Sequence, residues 1–385
     1  MRILIAPDSF KESLPAPAVA AALARGLRAV LPDATLDLVP MADGGEGTMD
    51  AIVAATAGTF VDVDVTGPRG ERRRARYGLL GDDRRTAVVE MAAASGLMLV
   101  PANERDPTRT TSYGTGELIA HALAQPVDTL IVAIGGSATI DGGAGLCQAL
   151  GIRFIDGRGH AITRPLTGGR LTEVADIDVT GLDARLASRR VLVACDVDNP
   201  LLGADGAAAV FGPQKGASPA QVAQLDAALD AFYVCVEDTL DVSVRDRPGA
   251  GAAGGVGAAL VAFFGAQLRP GVEIVMEAVG LEARMRGADC VVTGEGRLDA
   301  QTLHGKAPHG VARLARRLGV PVVGVGGSLA ADAEPALARQ FDALVACVTA
   351  PMPVAEALAD AAGNIERAGR RIAAWLRFPR PEICQ

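Results

Sequence analysis

Apolar and polar positions along the chain alternate in a strand-then-helix rhythm at both ends. At the amino end Ile3–Ala6 reads as a short apolar strand. Pro17–Leu31 has helical period and stops at Pro32, Leu36–Val39 is a second strand, Glu46–Thr56 a helix, and Phe60–Val65 a strand with alternating polar positions. The carboxyl end repeats the pattern with strand Cys290–Thr293, helix Pro308–Leu318, strand Val320–Val325, helix Ala333–Gln340, strand Leu344–Val348 and a last helix over about Val354–Leu376. Strands alternating with helices predict an α/β fold.

The middle of the chain has a different rhythm. Thr66–Gly70 reads as a turn, and Arg72–Leu80 with Thr86–Met91 as a hairpin. Helix Gly114–Ala124, buried strand Thr129–Ile134, helix Gly143–Leu150, buried strand Val191–Ala194 and the long amphipathic helix Pro219–Leu240 follow, then a flexible Gly/Ala loop over Gly251–Gly257. The change predicts two α/β domains, one inserted into the other, with an active-site cleft where they meet: residues 1–65 plus 289–385 outside, 66–288 inserted. The alternative is two domains in series with a boundary near residue 190.

Composition narrows the classes. With 385 residues and 49% apolar content the chain has material for more than one core. A net charge of −8 without a basic block disfavours a nucleic-acid partner. The cysteines, at 147, 195, 235, 290, 347 and 384, have no metal-binding spacing and read as buried thiols in a reducing compartment. No apolar run reaches membrane-spanning length and the first residues do not form a signal peptide, so a cytoplasmic protein is expected. Of 37 basic residues only Lys11, Lys215 and Lys306 are lysine. A chain this biased to arginine keeps lysine where a compact ammonium is wanted, or by chance.

Five polar loops follow apolar strands, where α/β folds place ligands. In Asp8-Ser9-Phe10-Lys11, Lys11 can neutralise an anion, or Asp8 and Ser13 simply cap a helix. In Asp43-Gly44-Gly45-Glu46-Gly47, Asp43 and Glu46 can hold Mg²⁺ or a hydroxyl, or make a capped turn. Gly135-Gly136-Ser137-Ala138-Thr139-Ile140-Asp141-Gly142-Gly143 can form an anion-binding nest of backbone N–H groups; it matches neither GxxxxGK[ST] nor GxGxxG. Asp196, Asp198 and Asn199 suit a metal or a hydroxyl, or an Asx turn, and Lys215 follows in GPQKG. The run Glu295–Lys306 places Glu295, Arg297, Asp299 and Lys306 close together, as a salt-bridged surface loop also would. The four histidines show no HExxH, and no GxSxG elbow is present, so metalloprotease and serine-hydrolase chemistry lose support.

The motifs APDSFKESL, ADGGEGT, TTSYGTGELI, IGGSATIDGGAG, ACDVDNPLLG, VFGPQKGA and TGEGRLDAQTLHGK, in this order over nearly the whole chain, resemble the bacterial class I glycerate kinases. The likeness is to members of glucarate, galactarate and glyoxylate breakdown, which make 2-phosphoglycerate. The resemblance implies ATP-dependent phosphoryl transfer to D-glycerate with Mg²⁺, by a monomer or homodimer. It implies catalytic roles for Asp196, Asp43, Lys11 and Lys306, with Asp196 or Asp43 orienting the accepting hydroxyl or taking its proton. It implies substrate contacts from Arg297, Asp8, Ser9 and Asp299, with Arg297 on the carboxylate. Gly135, Gly136, Ser137, Asp141, Gly142 and Lys215 would hold the nucleotide phosphates, and Glu46, Asp198 and Glu295 the metal. Ile140 stands where the family usually has Asn, which leaves open a kinase of another small hydroxy acid. A 3-phosphoglycerate product, or a ligand sensor without turnover, also stays open.

Overall fold

The computed structural model describes residues 1–83 and 85–377. Contacts divide the chain into two compact units. One contains Met1–Asp43, Asp50–Thr56 and the chain from Val275 onward; the other contains Gly44–Met49 and Ala57–Ile274.

The first unit is built on a five-stranded sheet in the order Ala343–Ala346, Val322–Leu329, Cys290–Leu298, Arg2–Ile5, Thr35–Leu38, every neighbouring pair parallel. Strands from both chain ends thus share one sheet. Ile3, Ile5, Val292 and Val325 are buried among Leu23 and Leu27 of helix Ala16–Arg28 and Ile365 and Ile372 of helix Ala361–Leu376. Those two helices approach so closely at Gly26 that a Cβ there would lie 2.1 Å from the Glu366 carbonyl oxygen. Gly26→Ala should therefore destabilise this unit by about 1–3 kcal/mol, despite alanine's better helix propensity. Urea unfolding checks it, and an unchanged midpoint would show that the helices can move apart freely.

The second unit carries a six-stranded sheet in the order Gln267–Arg269, Arg190–Ala194, Thr129–Ala133, Thr86–Glu90, Arg72–Leu79, Thr59–Thr66. The first four strands are parallel, and the last two add antiparallel. The strand expected over Phe60–Val65 thus belongs to this sheet, paired residue for residue with Arg72–Leu79. A two-stranded ribbon, Arg153–Asp156 with Val174–Asp178, and strand Gln267–Arg269 are further elements that the apolar pattern did not announce, since their outward positions are polar.

Helix Pro219–Leu240 starts on a capping box: Ser218 Oγ accepts from the Gln221 N–H, and Gln221 Oε1 accepts from the Ser218 N–H at 2.9 Å. Its Phe232 and Tyr233 pack with Phe154 in the core. The expected flexible loop Gly251–Gly257 is instead a buried 3₁₀ turn, Ala252–Gly254, running into buried helix Val256–Phe264. Its glycines are required by contact rather than mobility, since a Cβ on Gly254 would sit 2.0 Å from the Thr139 carbonyl oxygen. The expected last helix is broken at Asp360 into Val354–Ala359 and Ala361–Leu376.

Cys147, Cys290 and Cys347 are buried thiols, and Cys195 and Cys235 are half-buried. Cys384 lies outside the described residues. Among the described residues no helix is long and apolar enough to cross a membrane.

Candidate active site

In the second unit the polar loops sit at the carboxyl ends of three adjacent parallel strands, Thr86–Glu90, Thr129–Ala133 and Arg190–Ala194. The central loop, residues 135–143, turns its carbonyls into the protein. Gly136 O accepts from Leu97 N at 2.7 Å, and Ala138 O from Thr110 Oγ1 at 2.8 Å. Thr139 O accepts from Lys215 Nζ at 2.8 Å, and Gly142 O lies 2.8 Å from the Tyr233 hydroxyl. The backbone N–H groups of Gly135, Gly136 and Ser137 have no hydrogen-bond partner among the described residues. Inward carbonyls and open consecutive amides make a concave nest for an anion. Gly136 and Gly142 take the left-handed backbone (φ 70° and 60°) that lets the chain turn this way.

Two buried ionisable groups support the loop. Asp141, fully buried, accepts from the Ser112 N–H and hydroxyl, both at 2.7 Å, and from the Gly143 N–H at 3.2 Å. Burial raises its carboxyl above the ordinary range against those hydrogen bonds. Its oxygens are held by these interior donors, so Asp141 anchors the loop. Lys215 is buried beneath the same loop and donates to Ser137 Oγ as well as to Thr139 O, each at 2.8 Å. Ile140 is fully buried in the core, so its side chain shapes the loop from inside.

The segment Gly44–Met49 packs over this loop. A Cβ on Gly135 would lie 3.1 Å from the Gly45 Cα, and the Gly47 N–H donates to Glu90 Oε1 at 2.7 Å. Glu46 in this segment is exposed. Asp196 follows strand Arg190–Ala194 and accepts from the Gly271 N–H at 2.9 Å; Asp198 is exposed beyond it.

The first unit gathers a separate set at the carboxyl ends of its own strands. Asp8 is 6% exposed. Its Oδ1 accepts from the Ser9 N–H at 2.6 Å, and no other hydrogen bond reaches the carboxylate among the described residues. Burial first, then the carboxylates of Asp43 and Glu295, push its pKa up to about 7, while Ser9 N–H and Lys11 act against them. Glu295 has one oxygen on Thr302 Oγ1 at 2.8 Å and the other on Lys306 Nζ at 3.0 Å. Lys11 is exposed, and Asp43 and Ser9 are half-buried. Arg297 is 67% exposed and pairs with Asp299 at 3.4 Å, and Asp299 also accepts from the Gln301 N–H.

The sequence reading missed two contributors. Glu90 ends a strand as the ligand-loop rule would require, but it reads as the polar tail of an apolar run. Ser112 lies in TTSYGTGELI, with no spacing that announces its bond to a residue 29 positions away.

Comparison with known proteins agrees over the whole length. The model of the Glycerate kinase family matches residues 3–377. The chain is 51% identical over 376 residues to a glycerate 2-kinase of Escherichia coli (strain K12), covering 98% of each chain. It is 50% identical over 378 residues to a glycerate kinase of Bacillus subtilis (strain 168), again covering 98% of each. A crystal structure described as a glycerate kinase 2 from Salmonella typhimurium LT2 superposes with a TM-score of 0.89 at 52% identity over 98% of both chains. With its motifs in order and its length matched end to end, this chain belongs to the glycerate kinase family.

Proposed function

We propose that the chain phosphorylates D-glycerate to 2-phosphoglycerate with Mg–ATP as phosphoryl donor, in the cytoplasm. The observation that carries the reading is the loop at residues 135–143, whose Gly135, Gly136 and Ser137 amides are open while the Gly136, Ala138 and Thr139 carbonyls are tied inward. Phosphoryl transfer asks for charge neutralisation and alignment more than for covalent chemistry. In this reading Gly135, Gly136, Ser137 and Gly142 shape the seat of the nucleotide phosphates. Lys11 and Lys306 supply further positive charge, and Arg297 pairs with the glycerate carboxylate. Ser9 and Asp299 orient the substrate, and Asp43 and Asp196 hold its hydroxyls. The substrate oxygen attacks the γ-phosphorus, the bond to ADP breaks, and the hydroxyl proton leaves to a carboxylate. Asp8 suits that last step, because burial and neighbouring carboxylates raise its pKa to about 7.

Among the described residues no group of three His, Cys, Asp or Glu side chains could hold a metal ion. Glu295 has both oxygens engaged and does not suit a metal. The exposed carboxylates of Glu46 and Asp198 suit an ion that arrives on the nucleotide, as Mg²⁺ commonly does, keeping its waters and the phosphates as ligands. In this reading magnesium enters as part of the donor substrate. The 2-phospho product follows the likeness to a glycerate 2-kinase. Buried Ile140 gives no reason to expect a different acid.

Coupled ADP release across glycerate, tartronate, glycolate and hydroxypyruvate tests the substrate, and phosphorus NMR of the product tests the position. Turnover with glycerate and a phosphate on C2 is expected. ADP release that prefers another acid, or a 3-phospho product, would replace the reading.

A further inference from the structure

The Lys215 ammonium presents an electrostatic problem that the second unit does not solve by itself. The residue is 3% exposed, and both hydrogen-bond partners, Ser137 Oγ and Thr139 O, are neutral. No carboxylate lies within ion-pair distance among the described residues. One of its three donors has no partner. The neighbouring Thr139 hydroxyl is likewise buried without one. Of the elements packed around it, the loop contributes Asp141, whose oxygens are spent on Ser112 and Gly143. Arg105 lies against Gly216, where a Cβ would be 2.2 Å from its carbonyl oxygen and 2.8 Å from its Cβ, and it carries a like charge rather than a counter-ion. A buried cation without a counter-ion is costly and sheds its proton unless an anion comes near. The open amides of residues 135–137 are where an anion would come, with Ser137 joining the two faces of the loop.

We propose that Lys215 is a positioning residue whose proton is taken up from solvent when a phosphate group settles on the loop amides. The inference rests on the phosphate-seat reading above and deepens it: donor affinity depends on a charge placed behind the loop, out of reach of the ligand. Burial holds the free ammonium's pKa down to about 7, with Asp141 pulling it back upward. At pH 8 the free side chain is therefore mostly neutral, and an anion across the loop raises its proton affinity. In the bound state the ammonium keeps Ser137 and Thr139 in place and opposes the phosphate charge.

Titration calorimetry with Mg–ADP at pH 8, in buffers of low and high ionisation enthalpy, reads the proton directly, since ADP is already fully ionised there. The wild-type protein should take up close to one proton, and its Kd should rise by about tenfold per pH unit above pH 7.5. Lys215→Met should bind at least about tenfold more weakly at pH 7, with no uptake and no pH slope in this range. Wild-type binding with buffer-independent enthalpy and a flat Kd overturns the inference, and so does equal uptake in Lys215→Met. The wild-type experiment decides alone should the variant fail to fold. If the wild-type protein binds no Mg–ADP at all, the phosphate-seat reading itself fails.

Discussion

Asp8→Asn should lose glycerate phosphorylation by about 10²–10⁴-fold and yet unfold less readily than the wild-type protein above neutral pH. Both effects have one origin. In the folded chain the Asp8 carboxyl sits at about 7 against an ordinary 3.8, because burial and the charges of Asp43 and Glu295 disfavour its ionised form. Between those values the folded protein holds a proton that the unfolded chain has released. Stability contributed by this group therefore falls as pH rises through that window, and the full penalty is present above pH 7. Asparagine keeps the shape and removes the charge, for a gain on the order of 2–4 kcal/mol at pH 8 that vanishes near pH 4. Thermal unfolding of both proteins at pH 5 and pH 8 measures it. An active Asp8→Asn enzyme would dismiss the proton-accepting role, and equal stability at both pH values would dismiss the strained carboxylate.

Asp141→Ala should cost about 3–5 kcal/mol of stability, the largest loss expected from any single change in the loop. Three donors, the Ser112 N–H, the Ser112 hydroxyl and the Gly143 N–H, would be left unsatisfied in a place water does not reach. Denaturant unfolding should show a much earlier transition, with nucleotide affinity falling only as the loop loosens. A variant of wild-type stability that had lost nucleotide binding would reverse the assignment and make Asp141 a ligand contact.

Much of the architecture was legible because strand-length apolar runs such as Ile3–Ala6 and Thr129–Ile134 are buried on both faces, which leaves little ambiguity of period. What escaped was whatever depends on partners distant in sequence. Phe60–Val65 reads as a strand, but nothing local says which sheet it joins, and its pairing with Arg72–Leu79 decides that. Gly251–Gly257 has the composition of a flexible hinge, and only the backbones pressed against it make those glycines structural. The site shows the same division. The five loops were found by the rule that ligands sit at strand ends. Burial within them was not legible, because nothing local in the sequence tells that Asp141 and Lys215 turn inward while Lys11 and Glu46 stay exposed.

The shared sheet of the first unit also imposes an order of events at the ribosome. Ile3, Leu4 and Ile5 find their central partner in Cys290, Val291 and Val292, so this pairing must wait for just over three quarters of the chain to emerge. At about 5–20 residues per second that is a delay of roughly 15–60 s, during which an apolar strand can pair on one side only, with Thr35–Leu38. The run from Ala57 to Ile274 suffers no such delay, since its strands pair among themselves and it can mature while the rest is still being made. Newly made chains truncated before residue 290 should thus carry one finished body and a sticky amino end, the part a chaperone would hold.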